Sequence, residues 1–395
     1  MMQAVKTNIA TPKRTFLKTN LLLKCAKAKS SGWIWFVSMV QFCLLALNTA
    51  GFMARYVPSD VFWQIQILGV LLPFLVLSLL PFGLILLFKR RNGIFVCTVC
   101  CIVLFGARLF PFGLGGDQPK EKEDVKVLSY NVASVPMSGW SEIFGQELPE
   151  LVMFQESYFW QTPQKTATTP YLTFLRDSLE YTVAPDALKP KIVIHENPIL
   201  VRHFSVTDSV TTFSIADEEG GVSFATRAVI GQGDARFAIY NLHLQSLGDK
   251  KPWKVFRNDS SLTVTLRQLG RQYERAYRIQ ALEVRLLREA IEKETLPYLI
   301  VGDFNNTIHN WAYAQLAINM TDAYLQSGAG WGGTYHSRKP WFRIDHILVS
   351  REWEPISAHV LPVFFSDHRP VVAWIRPKVR FMKKKPKGAE YPLNP

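Results

Sequence analysis

Cysteine is confined to one end of the chain. All five, Cys25, Cys43, Cys97, Cys100 and Cys101, fall in the first 101 of 395 residues. The remainder therefore has no disulfide framework, no thiolate zinc site and no cysteine nucleophile. Acidic residues are missing from the other half of the pattern: the first 115 residues hold one, Asp60, against twelve Lys and Arg. Three common catalytic signatures are absent too. "HENPI" (195–199) lacks the second histidine of HExxH, and neither a GxSxG elbow nor a GxxxxGK loop occurs. "SGAGWGG" (327–333) opens no strand–helix phosphate loop. It reads as a flexible loop, or as part of a substrate cleft with Trp331 and Tyr335.

The formal charge of +13 and pI near 9.5 would ordinarily point to nucleic acid. The surplus, however, sits in the first 115 residues and in the tail after 375. Residues 116–375 carry about −4. The part with an ordinary globular composition is not basic, so charge gives no pointer to a nucleic-acid backbone.

Three apolar stretches, 33–54, 65–88 and 94–113, are each long enough to cross a bilayer at about 20 residues. They lack the polar face that a core helix of a soluble protein needs. A cleaved signal peptide is a poor fit, because the basic leader exceeds thirty residues and two further apolar stretches follow. Lys6, Lys13, Arg14, Lys18, Lys24, Lys27 and Lys29 precede the first stretch, and Lys89, Arg90 and Arg91 lie between the second and third. Only Arg55, with Asp60, lies between the first and second. Positive residues stay cytoplasmic. The expectation is a basic leader (1–32), three transmembrane helices within 33–114, a Gly-rich and charged linker (115–124), a globular domain (125–377) and a basic tail (378–395). The protein would be multi-pass in the plasma membrane (the inner membrane of a bacterium), with the globular domain periplasmic or extracellular. The tail could lie on anionic lipid or simply solubilise the end.

From Val125 onward short apolar runs alternate with turn signals. "VKVLSYNV" (125–132), "LVMFQES" (151–157), "KIVIHE" (191–196), "ARFAIYNLHL" (235–244), "YLIVGDFN" (298–305), "RIDHILVS" (343–350) and "PVVAWI" (370–375) read as strands. Ala276, Ile279, Leu282, Leu286, Ala290 and Ile291 mark a helix over about 273–293 that covers a sheet. Residues 248–272 fit no period and read as a surface excursion. The class is mixed α/β in one domain of about 250 residues.

Six of these segments carry polar groups out of keeping with a core: Asn131; Gln155 and Glu156; Asn241 and His243; Asp303 and Asn305; Asp345 and His346; Asp367 and His368. One buried Asp or His is usually a satisfied structural group. Six such segments buried separately would cost several kcal/mol per unpaired charge, so convergence on one site is the economical arrangement. Carboxylate and amide oxygens without thiolates suit a hard cation, Mg²⁺ or Mn²⁺. Histidines paired with carboxylates suit acid–base work. The combination suits metal-assisted hydrolysis of a phosphate ester. His346 follows Asp345 along a strand and should face the other way as a structural group. Arg343 and Arg369 could contact phosphate or anchor a loop.

The ordered set "SYNV … FQES … NLHL … GDFN … RIDHILVS … SDHRPV" resembles the endonuclease/exonuclease/phosphatase superfamily of DNase-I-like fold, over about 125–376. Prokaryotic members with a short multi-span N-terminal anchor share this layout. The resemblance implies a four-layer αββα sandwich with its site at one end of two packed sheets. It implies Glu156 as the main metal carboxylate, with Asn131 and Asp367 on the metal side. It implies Asp303 orienting or activating water and Asn305 holding a phosphate oxygen; Asn241 and Arg369 are further candidates for the substrate phosphate. It also implies His243 on the phosphate or leaving-group side, and His368 as a second catalytic imidazole oriented by Asp345. The inositol-polyphosphate phosphatase subgroup is disfavoured, since Val301 precedes Gly302 and His346, not Arg, follows Asp345. The substrate could be a lipid headgroup, a nucleic acid or a small phosphoester; a nuclease or a catalytically idle binding module are the alternatives. The lipid bilayer is an expected partner, and no protein partner is inferable.

Overall fold

The computed structural model describes residues 13–88, 99, 112–133, 143–144, 148–157, 159–161, 166–167, 170–184, 193–195, 197–207, 210–215, 223–232, 235–248 and 262–378. Nearly all of the third apolar stretch, the leader before Lys13 and the tail beyond Lys378 lie outside the described residues. The chain divides into two units, 1–49 with 73–107, and 50–72 with 108–395.

Two helices precede the globular part, α1 (Lys13–Met53) and α2 (Trp63–Phe88). Both contain runs long and apolar enough to cross a membrane, Gly32–Met53 and Trp63–Phe88. In the first unit two amide side chains turn inward. Asn48 Nδ2 donates to Leu44 O of its own helix and to Leu75 O of α2, and Gln41 Nε2 donates to Leu79 O. The NH₂ groups of both amides are thereby satisfied by backbone carbonyls of α1 and α2.

The second unit is built on two six-stranded mixed sheets. Twelve strands form them: β1 (Val125–Asn131), β2 (Leu151–Gln155), β3 (Thr182–Ala184), β4 (Ile199–Val201), β5 (Thr211–Ser214), β6 (Ser223–Gln232), β7 (Ala235–His243), β8 (Tyr298–Asp303), β9 (Thr321–Asp322), β10 (Asp345–Val349), β11 (Trp353–Val360) and β12 (Val371–Pro377). One sheet runs β9-β10-β8-β7-β6-β5 and the other β11-β12-β1-β2-β4-β3. The pairs β1–β2 and β7–β8 are parallel. The described residues of this unit also form a small three-stranded sheet, Phe159–Gln161, Thr166–Ala167 and Val193–His195, a short pair between 113–114 and 329–330, and the helices α3 (Pro170–Leu179), α4 (Leu262–Glu292), α5 (Trp311–Leu316) and α6 (Ala323–Ser327).

Three separate apolar cores define the layers. Val125, Val127, Leu151 and Met153 of one sheet meet Phe237, Ile239, Leu299, Val301 and Ile347 of the other. Tyr240, Leu242, Ile300 and Leu348, on the reverse face of the second sheet, meet Ala281, Val284 and Leu287 of α4 and Trp311 of α5. Leu128, Tyr130, Val152 and Phe154, on the reverse face of the first, meet Leu175 of α3. This is the expected αββα order. Strand alternation explains it: with a period of two, each buried strand feeds two cores at once, which is why these segments read as continuous apolar runs.

Two segments differ from expectation. Helix α4 begins at Leu262 rather than near 273, so the end of the supposed surface excursion is helical. Its first turns have too few apolar residues to show a period. They are held by tertiary contact: Thr265 and Leu269 are buried, and Trp63 packs edge-on against Tyr273 at 6.5 Å. The segment 113–124 is no free linker. Gly113 and Leu114 pair with Gly330 and Ala329, and Gly115 N donates to Gly328 O. Arg376 grips Glu121 and Asp124, and Lys120 lies over the Trp374 ring. The glycines there serve close approach, since a Cβ on Gly113 would meet Gly328 O at 2.3 Å.

Candidate functional site

On β7 and β8 the residues facing the space between the sheets are Phe237 and Ile239, and Leu299 and Val301. Continuing that alternation brings Asn241, His243 and Asp303 to the same face. In β1, Val125 and Val127 lead to Asn131; in β2, Leu151 and Met153 lead to Gln155; in β10, Val349 and Ile347 lead back to Asp345. One face therefore turns polar at one end of five strands. Register tightens the group. Asp303 is directly opposite His243 on one side and Asp345 on the other, and Asn131 is opposite Gln155.

Asp303 is the centre. Its Oδ1 accepts from Asn305 N at 2.8 Å, and its Oδ2 accepts from Asn131 Nδ2 at 3.0 Å. The same oxygen lies 3.7 Å from His243 Nε2 and 3.6 Å from His368 Nε2. Asn131 Nδ2 also donates to Glu156 Oε1 at 3.0 Å, and that oxygen lies 3.7 Å from His243 Nε2. Asp345 holds His368 Nδ1 at 2.9 Å. Burial pushes the Asp303 carboxyl up to about 6; the positive charge of His368 opposes this and the negative charge of Asp345 adds to it. His368 goes the other way. Burial works against its charge, yet Asp345 and Asp303 outweigh it and push the imidazole up to about 10. At neutral pH the pair is a carboxylate beside an imidazolium, two groups whose environments have driven their proton affinities apart.

The backbone carries strain here. Glu156 (φ 52°) and Asn305 (φ 49°) are left-handed non-glycine residues. Gly302, at φ 140°, has no alternative, because a Cβ there would sit 2.0 Å from Leu242 O. That explains why the apolar run stops at glycine immediately before Asp303.

Not every expected residue joins the cluster. Asn241 is placed in it, but its amide is spent: Oδ1 accepts from Gln155 Nε2 at 2.7 Å, and Nδ2 donates to Phe154 O and Pro198 O. With no exposed surface it braces one sheet against the other and has nothing left for a substrate, which corrects the phosphate contact expected of it. Asp367 is exposed. Its carboxylate accepts from Ser366 Oγ at 3.5 Å and is felt at His368 only as a charge through space. Among the described residues it lies outside the grouping of Asp303, Asp345 and His368. Arg369 Nε donates to Ser337 O, and its guanidinium lies over Phe364, so it anchors the 331–342 loop. Arg343 is buried in an ion pair with Asp322 at 2.9 Å and touches His346 Nδ1 at 3.0 Å. His346 lies between Phe304 and Tyr313, on the face opposite Asp345.

Residues without a sequence signal support the site. Asn306 Nδ2 donates to Gln280 Oε1, Gln280 Nε2 donates to Gln245 O, and Gln245 N donates to Glu283 at 2.8 Å. Gln280 and Glu283 of α4 thus hold the turns after His243 and Asp303 together. The Tyr335 ring packs, tilted by 59°, with its centroid 5.0 Å from that of His368. Only the position of Gln280 and Glu283 on the buried face of an amphipathic helix hinted at a role.

A divalent cation fits this donor set. Glu156 and Asp303 offer hard oxygens on one side of the cluster, braced by Asn131 Nδ2 while Asn131 Oδ1 accepts from Ala133 N, and Glu156 is half-buried and so open to exchange with solvent. His243 Nε2 is buried without a hydrogen-bond partner while standing 3.7 Å from both carboxylates, which leaves a gap the size of an ion or water among them. Asp303, Asp345 and His368 form a second grouping with ligand atoms within 4.8 Å. Its His368–Asp345 contact is already a short hydrogen bond, so the Glu156 side is the better cation site.

Residues 128–368 match the Endonuclease/Exonuclease/phosphatase family. No curated protein matches the chain. Among solved structures, an endonuclease/exonuclease/phosphatase from Beutenbergia cavernae is 16% identical, covers 65% of this chain and 72% of its own, and gives a TM-score of 0.44. A mannosyl-6-phosphatase from Bacteroides thetaiotaomicron is 18% identical, with 64% and 99% covered and a TM-score of 0.39. The human Nocturnin catalytic domain with bound sulfate is 15% identical, with 65% and 96% covered and a TM-score of 0.42.

Proposed function

The chain belongs to the endonuclease/exonuclease/phosphatase family of phosphoric ester hydrolases, and from that premise we propose that it is a membrane-anchored, divalent-metal-dependent phosphoesterase whose site is the Asp303 cluster. The observation that carries this reading is the meeting of Asn131, His243 and His368 within 3.0–3.7 Å of one Asp303 oxygen at the ends of strands from both sheets.

Glu156 and Asp303, with Asn131 Nδ2 bracing both carboxylates, would hold the cation, Mg²⁺ or Mn²⁺, which would supply neutralisation of phosphate charge. Asp303, held by Asn305 N and Asn131, orients water and accepts one of its protons as the water oxygen bonds to phosphorus. The ester P–O bond opens, and the leaving oxygen takes a proton from the His368 imidazolium. The 3.6 Å between Asp303 and His368 lets that proton return to the imidazole after turnover. His243 Nε2 faces the phosphoryl group, and Asn305, whose Nδ2 also donates to Leu244 O, lies beside it. Asp345 keeps His368 cationic. Water, not a side chain, is the nucleophile, since neither cysteine nor an activated serine is present in the cluster.

The anchor is the pair α1 and α2, with the 94–113 stretch completing three crossings. Charge asymmetry supports a multi-pass protein with a periplasmic or extracellular catalytic domain. The test uses full-length protein in detergent with bis-p-nitrophenyl phosphate. Activity is expected with Mg²⁺ or Mn²⁺, lost with EDTA, and reduced about 10²–10⁴-fold in Asp303→Asn and His368→Ala. Both variants matching wild type would remove the site from consideration.

A further inference from the structure

The turn between α1 and α2 belongs to the catalytic unit. Ser59 Oγ donates to Tyr277 O, and Asp60 pairs with Arg285 at 2.9 Å. Gln66, one turn into α2, is fully buried and uses both ends of its amide. Its Nε2 donates to Ala54 O and Val57 O, while its Oε1 accepts from Trp311 N and Asn310 Nδ2. Asn310 also donates to Gln66 O and accepts at Oδ1 from Thr307 N. The segment fixed this way, 307–311, continues directly from Asp303, Asn305 and Asn306. The head of an apolar helix and the central catalytic loop are thus one hydrogen-bonded structure.

A second membrane-side segment reaches the opposite edge of the site. Phe112 packs edge-on against Trp331 at 5.6 Å, and Leu114 pairs with Ala329. Trp331 Nε1 donates to Trp341 O, closing the loop whose Tyr335 ring packs at a tilt against His368. This edge is apolar where it faces water: Leu114 is 92% exposed, Trp341 56% and Phe364 53%. Arg338 and Lys339 are exposed on the same loop, and Arg369 lies over Phe364. Exposed tryptophan beside lysine and arginine is the composition of a bilayer interface, where rings enter the headgroup layer and cations meet lipid phosphate. A cavity of about 370 Å³ lies behind this edge, with Trp331, Pro340, Val360 and Arg369 among its walls.

Between Phe88 and Leu114 the sequence holds the apolar 94–113 stretch, which is long enough to cross a bilayer.

We infer that the 54–66 turn and the Phe112–Leu114 segment seat the rim of the active site on the bilayer surface, so that its substrate is a phosphoester carried on a membrane lipid. The occupant of the exposed apolar edge is the headgroup layer of the chain's own membrane, because the chain enters that edge straight from an apolar stretch. This rests on the hydrolase reading above and names its substrate class. Scattered exposed apolar residues are common on soluble proteins; here they are gathered on the loop touching His368 and on the segment leaving the membrane.

The test uses the full chain in phosphatidylcholine vesicles containing phosphatidylglycerol, phosphatidylethanolamine or sphingomyelin. Parallel reactions contain the matching deacylated headgroup phosphoesters, bis-p-nitrophenyl phosphate, plasmid DNA and RNA. Cleavage of at least one bilayer lipid, with kcat/KM at least tenfold above its soluble counterpart, is expected. The double variant Leu114→Ser/Trp341→Ser should lose at least fivefold on that lipid and stay within twofold of wild type on bis-p-nitrophenyl phosphate. The inference is overturned by turnover of bis-p-nitrophenyl phosphate with no bilayer lipid cleaved, by equal or better cleavage of the soluble counterpart, by preference for nucleic acid, or by equal loss on both substrates in the double variant. No turnover of bis-p-nitrophenyl phosphate by wild type would refute the hydrolase reading itself.

Discussion

Glu283 is a carboxyl group buried in the scaffold of the site, and its ionisation should set the alkaline stability of the catalytic unit. It lies on the inner face of α4, and its one polar contact among those described is with Gln245 N. Burial pushes it from 4.5 up to about 8, with the Gln245 hydrogen bond opposing weakly. The sign follows from proton binding. Between the two values the folded state holds a proton that the unfolded state has released, so stability is full below pH 4.5 and falls as pH rises towards 8. At about 1.4 kcal/mol per unit the loss is on the order of 5 kcal/mol. Glu283→Gln keeps an acceptor for Gln245 N and cannot ionise. At pH 5 the variant and wild type should melt within about 2 °C of each other. At pH 9 the variant should melt higher, by roughly 10–20 °C at about 2–4 °C per kcal/mol for a domain of this size. Tryptophan fluorescence of the full chain in detergent, scanned from pH 5 to 9, reads both curves. Parallel curves for the two proteins would refute the reasoning, since they would mean that Glu283 is hydrated in the folded state.

Three further outcomes are expected. Gln66→Leu preserves the apolar character of α2 but strands Trp311 N and the Ala54 and Val57 carbonyls, leaving Asn310 Nδ2 only its bond to the backbone O of residue 66, so it should cost about 2–3 kcal/mol and open the 303–311 loop to proteolysis in the full chain; unchanged proteolysis would refute the latch. Asp345→Asn removes the first of the three carboxylate charges, Asp345, Asp303 and Asp367, that hold His368 protonated. The imidazole should lose part of its raised proton affinity, lowering kcat about 10²-fold on bis-p-nitrophenyl phosphate with little change in KM. Asp322→Ala leaves Arg343 buried without its carboxylate and should destabilise by about 3–5 kcal/mol in thermal melts, whereas Glu352→Ala, with its partner Arg351 largely exposed, should cost under about 1 kcal/mol.

Much of this protein was legible along the chain because the deciding signals are local. An apolar stretch too long and too uniform for a core is a property of composition. A strand buried on both faces is a continuous apolar run, and Asp303 or Asn131 stands out where such a run turns polar. Alternation by itself separated Asp345 from His346. The tertiary structure decided what depends on partners from elsewhere in the chain. Asn241 and Asn305 look alike in sequence, yet Asn241 faces Phe154, Gln155 and Pro198 and is used up, while Asn305 faces Asp303. Residues 262–272 show no period of their own and are helical because Trp63 and the core cover them. The glycines of 113–115 look like slack and are close packing against Gly328. Gln66 reads as one polar residue in an apolar helix until Asn310 and Trp311, 244 and 245 residues away, arrive to bind it. Hydrophobic period and turn chemistry are written into neighbouring residues, whereas the occupancy of a hydrogen-bonding group is fixed only when distant segments compete for it.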